Sequence, residues 1–272
     1  MKIMKRFSIV FFAAAIMAAT ACQEIEVPAG SNPLKPLSLS TKQEAYVAEG
    51  NDFSFYFLEK IEAAAESDYI ISPLSMQFLL GMILNGTAGT TADEICTVLG
   101  YGAGETGQVN EYCLAMLEQL PKMDKKTTLI IAGAIFVDKG YDLLSDYKKA
   151  VQKYYCSTVE NLDFSEVKKS TDYINKWCSD HTNGLVPKVL DRVSPDMLAY
   201  LLNALYFKSE WSSSFNKAAT AKERFAQADG SKGTVSMMKQ EHSFPYTEND
   251  CFQAVRLPYG NGAFSMTVLL PK

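Results

Sequence analysis

The chain has 272 residues, of which 47% are hydrophobic and 21% are charged, so it can form one large globular domain or two modest ones. Its formal net charge is −5, and its isoelectric point is about 5.2. A surface that binds phosphate backbones needs clustered Lys and Arg, so this acidic balance argues against nucleic acid as a partner.

The first 21 residues have the order of a signal peptide: a cationic start, an apolar run at 7–19 and small residues before Cys22. The apolar run is too short for a permanent membrane span. The stretch "AATAC" resembles a bacterial lipobox, although Ala19 stands where Leu is usual. We therefore expect export and acylation of Cys22, giving an outer-membrane lipoprotein that faces the periplasm or the cell surface. The alternative is ordinary secretion with a spare cysteine.

Residues 22–43 are expected to form a flexible tether, because Pro28, Pro33 and Pro36 lie among polar residues without an apolar period. The lipid bilayer would be the partner at its acylated end. The other cysteines are interpreted mainly as small core residues, since their number is odd and no CxxC spacing occurs; they are Cys96, Cys113, Cys156, Cys178 and Cys251.

Three helices are predicted after the tether. The first follows Asn51 and Asp52, either of which is a suitable N-cap. The second begins at Ser72 and is expected at the centre of the core, because residues 74–84 are apolar nearly all round. The third is predicted from a capping-box pair at 91 and 94 and ends at Gly100.

The rest of the chain combines helices with strands. Residues 128–137 and 198–207 are predicted to be interior strands, 145–155 and 166–182 helices, and residues from 225 onward hairpins with turns at 229–230 and 260–262. The run 264–270 is apolar on both faces and is predicted to be covered on both sides. Early helices and late strands indicate an α+β fold in which helices pack on large, mostly antiparallel sheets.

No motif in the sequence predicts catalysis. The two histidines, His181 and His242, lack a neighbouring nucleophile or acid motif and are interpreted as structural. The stretch "GTAGTTADEI" lacks the Lys-Ser/Thr pair of a phosphate-binding loop, and no metal-ligand spacing occurs. We therefore predict that the protein is not an enzyme and that it has no cofactor or metal site. An enzyme anchored as a lipoprotein is the least favoured of the three functions considered.

Five segments in order resemble the serpin family of serine protease inhibitors, from about residue 51 to the last residue. They are "ISPLSMQFLLGMILNGTAGTTADEI", "YINKWCSDHTNGLVPKVLD", "LLNALYFKSEWSSSF", "MMKQ" and "LPYGNGAFSMTVLLPK". The third segment, with Asn, Phe and Trp at fixed spacing, is the most specific. Departures from the family pattern are Ser209, where Gly is usual, and Asp68, where Asn is common.

The resemblance implies an inhibitor whose reactive loop is cut by a serine or cysteine protease and then inserts into the central sheet. Ser72, Ser75 and Asn203 match the polar cluster where the family's sheet opens, and Trp211 and Tyr259 match the top of the sheet where insertion begins. The alternative for each residue is plain core packing.

Serpins have further segments after the position that matches residue 272. The resemblance therefore implies that residues 44–272 are a partial serpin domain without the reactive loop and the C-terminal strands. Such a chain is expected to form no covalent complex with a protease. It is also expected to leave interior strands such as 128–137 open. The alternative function is a non-inhibitory, serpin-like binding lipoprotein, and the hinge residues that distinguish the two lie outside the sequence.

Overall fold

The computed structural model describes residues 31–227 and 230–272, and residues 32–272 form one compact unit. The predictions for the signal peptide, for Cys22 and for Asp229 lie outside the described residues. The described helices are α1 Thr41–Ala64, α2 Pro73–Leu84, α3 Thr90–Leu99, α4 Thr106–Gln119, α5 Ser145–Tyr155 and α6 Val167–His181. None of these helices is both long and apolar enough to cross a membrane.

The described strands form three separate sheets. They are β1 Thr128–Asp138, β2 Thr158–Leu162, β3 Ala199–Lys208, β4 Ala221–Ala226, β5 Lys232–Met237, β6 Tyr246–Glu248, β7 Phe252–Tyr259 and β8 Phe264–Pro271. The sheet orders are β2-β1-β3, β4-β5 and β6-β7-β8, and among the described pairs only β1–β2 is parallel. The prediction of an α+β fold with mostly antiparallel sheets is confirmed.

The start of α1 differs from the prediction. Asn51 and Asp52 lie inside the helix, and its N-cap is Ser40, whose side chain exchanges hydrogen bonds with Gln43 in a capping box. Gly50 also lies inside this helix, where glycine costs about 1 kcal/mol relative to alanine. Packing explains why it is tolerated: a Cβ at this position would lie 2.8 Å from the side-chain oxygen of Gln77.

The prediction of a free tether is wrong for its last twelve residues. Residues 41–43 are helical, and residues 32–40 lie on the domain without regular structure. The backbone N–H of Ser38 donates to the side chain of Gln119 at 2.7 Å, and the Gln119 amide donates back to the Ser38 carbonyl at 3.0 Å. Leu37 packs against the helical core. Proline and polar residues here therefore mark an irregular segment that is nevertheless bound to the domain.

The predicted cap of α2 is confirmed, because Ser72 Oγ accepts from the Ser75 amide at 3.2 Å. The predicted capping box of α3 is wrong. Its N-cap is Gly89, at φ +61°, so the helix begins two residues earlier than a cap at Thr91 implies, and no side chain caps its first turn. Its C-cap is confirmed: Gly100 is left-handed, with φ +75°, as a glycine at this position allows.

Two cores enclose the first sheet. One face of β1 and β3 packs on α1, α2, α4 and α5, where Phe78, Met82 and Ile135 are buried. The other face packs on α6 through Phe136, Ile174 and Trp177. The prediction that 128–137 is an open strand is wrong for its second half, because β1 pairs with β3 from 128 to 137 and also with β2 from 134 to 138. Among the described strands of this sheet, β2 and β3 are the two edge strands.

The hairpin formed by β7 and β8 is confirmed, and its turn contains Gly260 at φ +46° and Gly262 at φ +89°. The prediction that 264–270 is covered on both sides is wrong in this structure. β8 is an edge strand, and Leu269 and Leu270 are each 61% exposed. Apolar residues on both faces indicated burial, whereas the described residues cover only part of this strand.

Candidate functional site

The candidate site is the free edge of β3 together with the residues at its middle and its end. α2 packs on β3. Ser72 and Ser75 lie half-buried in the first turn of α2, where the Ser72 hydroxyl is used in the N-cap hydrogen bond. This bond fixes the start of a helix that would otherwise leave its first amides unsatisfied.

Asn203 lies at the middle of β3, opposite Gly133 of β1. Its neighbour two residues away, Leu201, packs in the core formed with α2, so Asn203 is on the α2-facing side of the sheet. The side-chain oxygen of Asn203 is buried and has no hydrogen-bond partner among the described residues. Such an atom costs about 1–3 kcal/mol relative to a satisfied one.

The structure does not join Asn203 to the two serines by a hydrogen bond within the described residues. Ser72, Ser75 and Asn203 are therefore on adjoining elements, α2 and β3, but they do not form the connected polar cluster that the resemblance implies. Their role in opening the sheet stays a prediction.

The structure brings Trp211 and Tyr259 together, and their role at the top of an opening sheet stays a prediction. Their rings stack with centroids 4.3 Å apart and an interplanar angle of 16°. Phe207 and Phe264 extend this contact, with ring centroids 5.2 Å between Phe207 and Tyr259 and 5.5 Å between Phe207 and Phe264. We call Phe207, Trp211, Tyr259 and Phe264 the aromatic cluster. Burial raises the pKa of the Tyr259 hydroxyl.

Backbone hydrogen bonds hold the aromatic cluster between two sheets. The Ser212 amide donates to the Pro258 carbonyl at 3.0 Å, and the Gly260 amide donates to the Glu210 carbonyl at 2.8 Å. The chain that leaves β3 is thus bonded to the end of β7 and to the β7–β8 turn. Phe207 belongs to the fixed Asn-Phe-Trp spacing but was not predicted as a site residue, and no sequence signal pointed to Phe264.

His181 makes structural contacts, in agreement with the role predicted for it, and His242 lies at the surface, as predicted. His181 stacks on Trp177 at 4.2 Å, and its Nδ1 is 2.8 Å from the Trp177 carbonyl oxygen. His242 is exposed, and its Nδ1 is 3.0 Å from the Ser243 carbonyl oxygen. Among the described residues there is no cluster of His, Cys, Asp and Glu that could hold a metal ion.

The described cysteines are all free. Cys96, Cys113 and Cys178 are buried, in agreement with their interpretation as core residues, whereas Cys156 and Cys251 are exposed. Burial raises the pKa of the Cys113 thiol to about 12, so that thiol is protonated at neutral pH.

Comparison with known proteins identifies the family. The family model described as serpin (serine protease inhibitor) matches residues 48–272. An uncharacterised serpin-like protein of Thermococcus kodakarensis is 30% identical over 223 residues, covering 82% of this chain and 52% of the relative. Plasminogen activator inhibitor 1 of Mus musculus is 30% identical over 246 residues, covering 87% of this chain and 61% of the relative. The chain thus spans between about half and two thirds of these relatives.

Solved structures agree with the sequence comparison. Arabidopsis AtSerpin1, in its native stressed conformation, superposes with a TM-score of 0.76 at 25% identity, covering 86% of this chain and 62% of that one. The expectation that the protein is not an enzyme agrees with the family's description as inhibitors. The match over residues 48–272 and the shared fold establish that this chain belongs to the serpin family.

Proposed function

We propose that this chain carries the body of a serpin-type inhibitor of serine proteases, in which an extended segment adds to the free edge of β3. The observation that carries the proposal is the edge itself. β1 occupies one side of β3, and no described strand pairs with the other side. A row of unpaired backbone N–H and C=O groups is a template for an added strand.

Asn203 supports strand addition at this edge. Its buried side-chain oxygen lacks a donor in the described structure. A polar side chain on the α2-facing side of an arriving strand would supply that donor, so completing the sheet would remove a cost of about 1–3 kcal/mol. The aromatic cluster lies at the end of β3, where the strand joins the second sheet, and would limit how far the edge opens.

The test uses the full chain and an acetylated peptide of alternating threonine and alanine, ten residues long to match β3. We expect the peptide to slow hydrogen exchange of the β3 amides that do not bond to β1 and to raise the melting temperature. A peptide of the same sequence that is N-methylated at every residue is the control, because it has no backbone N–H on either edge and cannot complete the ladder. If the sheet does not accept a strand, as in the alternative of a non-inhibitory binding protein, both peptides should leave hydrogen exchange and the melting temperature the same.

We also propose that the protein is exported and anchored to a bilayer by acylation of Cys22. The support is the order of cationic, apolar and small residues before that cysteine. Cys22→Ser is expected to abolish incorporation of labelled fatty acid and to move the protein out of the membrane fraction. Cys251→Ser is the matched control, because this exposed cysteine lies in the domain. Equal labelling of both variants would contradict acylation at Cys22.

A further inference from the structure

Asp124 is a buried carboxylate that collects hydrogen bonds from separate parts of the chain. It lies between a short 3₁₀ turn at 120–122 and β1, and it is 2% exposed. Its oxygens accept from the Asn32 side-chain amide at 2.6 Å, the Lys126 amide at 2.9 Å and the Thr127 hydroxyl at 2.8 Å. The Asn261 backbone amide is a further donor at 3.4 Å.

These donors keep Asp124 ionised. Burial alone raises the pKa of the carboxyl, but hydrogen bonds from Asn32, Lys126, Thr127 and Asn261 together outweigh it, and the pKa is lowered. A buried charge is tolerated only when such bonds are made. Removing one donor therefore affects the placement of the other segments that share the carboxylate.

The N-terminal segment makes several of these contacts. We call residues 32–38 the N-terminal clasp. Besides bonding to Asp124, the Asn32 side chain accepts from the Lys125 amide at 3.0 Å. The Pro33 carbonyl accepts from the Asn261 side chain at 3.3 Å. At its other end the clasp is held by Ser38 and Gln119, as described above.

The β7–β8 turn approaches Asp124 so closely that a side chain is excluded. A Cβ on Gly260 would overlap the Asp124 carboxylate, and the positive φ of Gly260 also favours glycine. The Asn261 side chain donates to the Met123 carbonyl at 2.9 Å. Because the Gly260 amide bonds to the Glu210 carbonyl, the turn connects Asp124 to the chain that leaves β3.

The start of β1 makes a second connection to the same place. The hydroxyls of Thr127 and Ser209 are 2.7 Å apart, and Lys126 Nζ is 3.4 Å from a carboxylate oxygen of Glu210. Thr127 thus bonds to both Asp124 and the end of β3. Asp124 is in this way linked on two routes to the residues that carry the aromatic cluster.

We propose that the N-terminal clasp, acting through Asp124, holds the β7–β8 turn and the aromatic cluster against the end of β3. Release of Asn32 removes the donor at 2.6 Å, and the carboxylate then has fewer bonds with which to fix the turn. The local stability at the end of β3 therefore depends on a segment that precedes the first helix. This inference does not require strand addition or acylation to be correct.

The test is Asn32→Ala in the full chain, read by hydrogen exchange of single amides. We expect the Gly260 and Ser212 amides to exchange at least about fivefold faster, because they report local opening at the turn. The Thr182 amide, bonded to Cys178 at the end of α6, is the distant reporter and should not change. Lys35→Ala is the matched control, since this neighbouring side chain is exposed.

Coupling between the clasp and the β7–β8 turn is reciprocal, so the converse variant has a defined result. Asn261→Ala removes the side-chain bonds to the Pro33 and Met123 carbonyls and leaves the backbone amide that bonds to Asp124, and it is expected to speed exchange of the Lys125 amide, which bonds to Asn32. Unchanged exchange at Gly260 and Ser212 in Asn32→Ala would overturn the proposal. Equal acceleration at Thr182 would also overturn it, because the variant would then have lost global stability rather than a local clasp.

Discussion

Replacing Asn203 by leucine is expected to stabilise the domain. The oxygen of Asn203 is buried without a partner, so its removal relieves about 1–3 kcal/mol. Leucine is close to asparagine in size, and the side chain faces the apolar core between β3 and α2. Urea denaturation followed by circular dichroism should show a higher midpoint with an unchanged slope.

The same substitution at Asn110 is the matched control and should have the opposite sign. The Asn110 side-chain oxygen accepts from the Asn85 amide and from the Tyr155 hydroxyl, each at 2.8 Å. Leucine would leave both donors short of a partner in a buried site, which costs about 2–4 kcal/mol. If Asn203→Leu destabilised the domain as Asn110→Leu does, the Asn203 oxygen would have to be bonded in solution, and the argument for strand addition at the β3 edge would lose its support from Asn203.

Two further predictions concern charge and stacking. Hydrogen bonds from Lys42 and Tyr46 lower the pKa of Glu105 to about 2, below its usual value of 4.5. The resulting stability is present above pH 4.5 and is lost as the pH falls toward 2. Glu105→Gln should therefore lower the urea midpoint at neutral pH and make the midpoint depend less on pH between 4.5 and 2. An unchanged pH dependence would count against the pairing of Glu105 with Lys42 and Tyr46. Trp211→Ala removes the stack on Tyr259, worth about 0.5–1.5 kcal/mol beyond the buried area. It should lower the urea midpoint, whereas Trp211→Phe should restore most of the loss; an equal loss in both variants would argue against stacking.

Local patterns predicted most of the elements. The start of α2 follows from one serine and one proline, and β1 follows from a run of β-branched and apolar residues, so both were correct within a residue. Where packing outweighs local preference, the prediction failed. α1 already begins at Thr41, before the predicted caps Asn51 and Asp52, and it continues through Gly50, which packs closely against Gln77.

The candidate site was predicted only as far as the resemblance reached. The family pattern singled out Trp211 and Tyr259, and the structure shows that their rings stack, a contact that the pattern did not specify. Asp124 was not identified, because its partners are 92 and 137 residues away along the chain. A lone aspartate before a strand looks like an ordinary loop residue, and only the folded chain shows which donors surround it.

The hydrogen bonds to Asp124 affect the order in which parts of the domain fold during synthesis. Its donors include Asn32 and Asn261, and the contact between Pro33 and Asn261 spans 228 residues. Chains emerge from the ribosome at about 5–20 residues per second, and contacts of such separation form late. The hydrogen bond from Asn261 to Asp124 cannot form until residue 261 has been translated. We therefore expect the contacts around Asp124 to be among the last to become native.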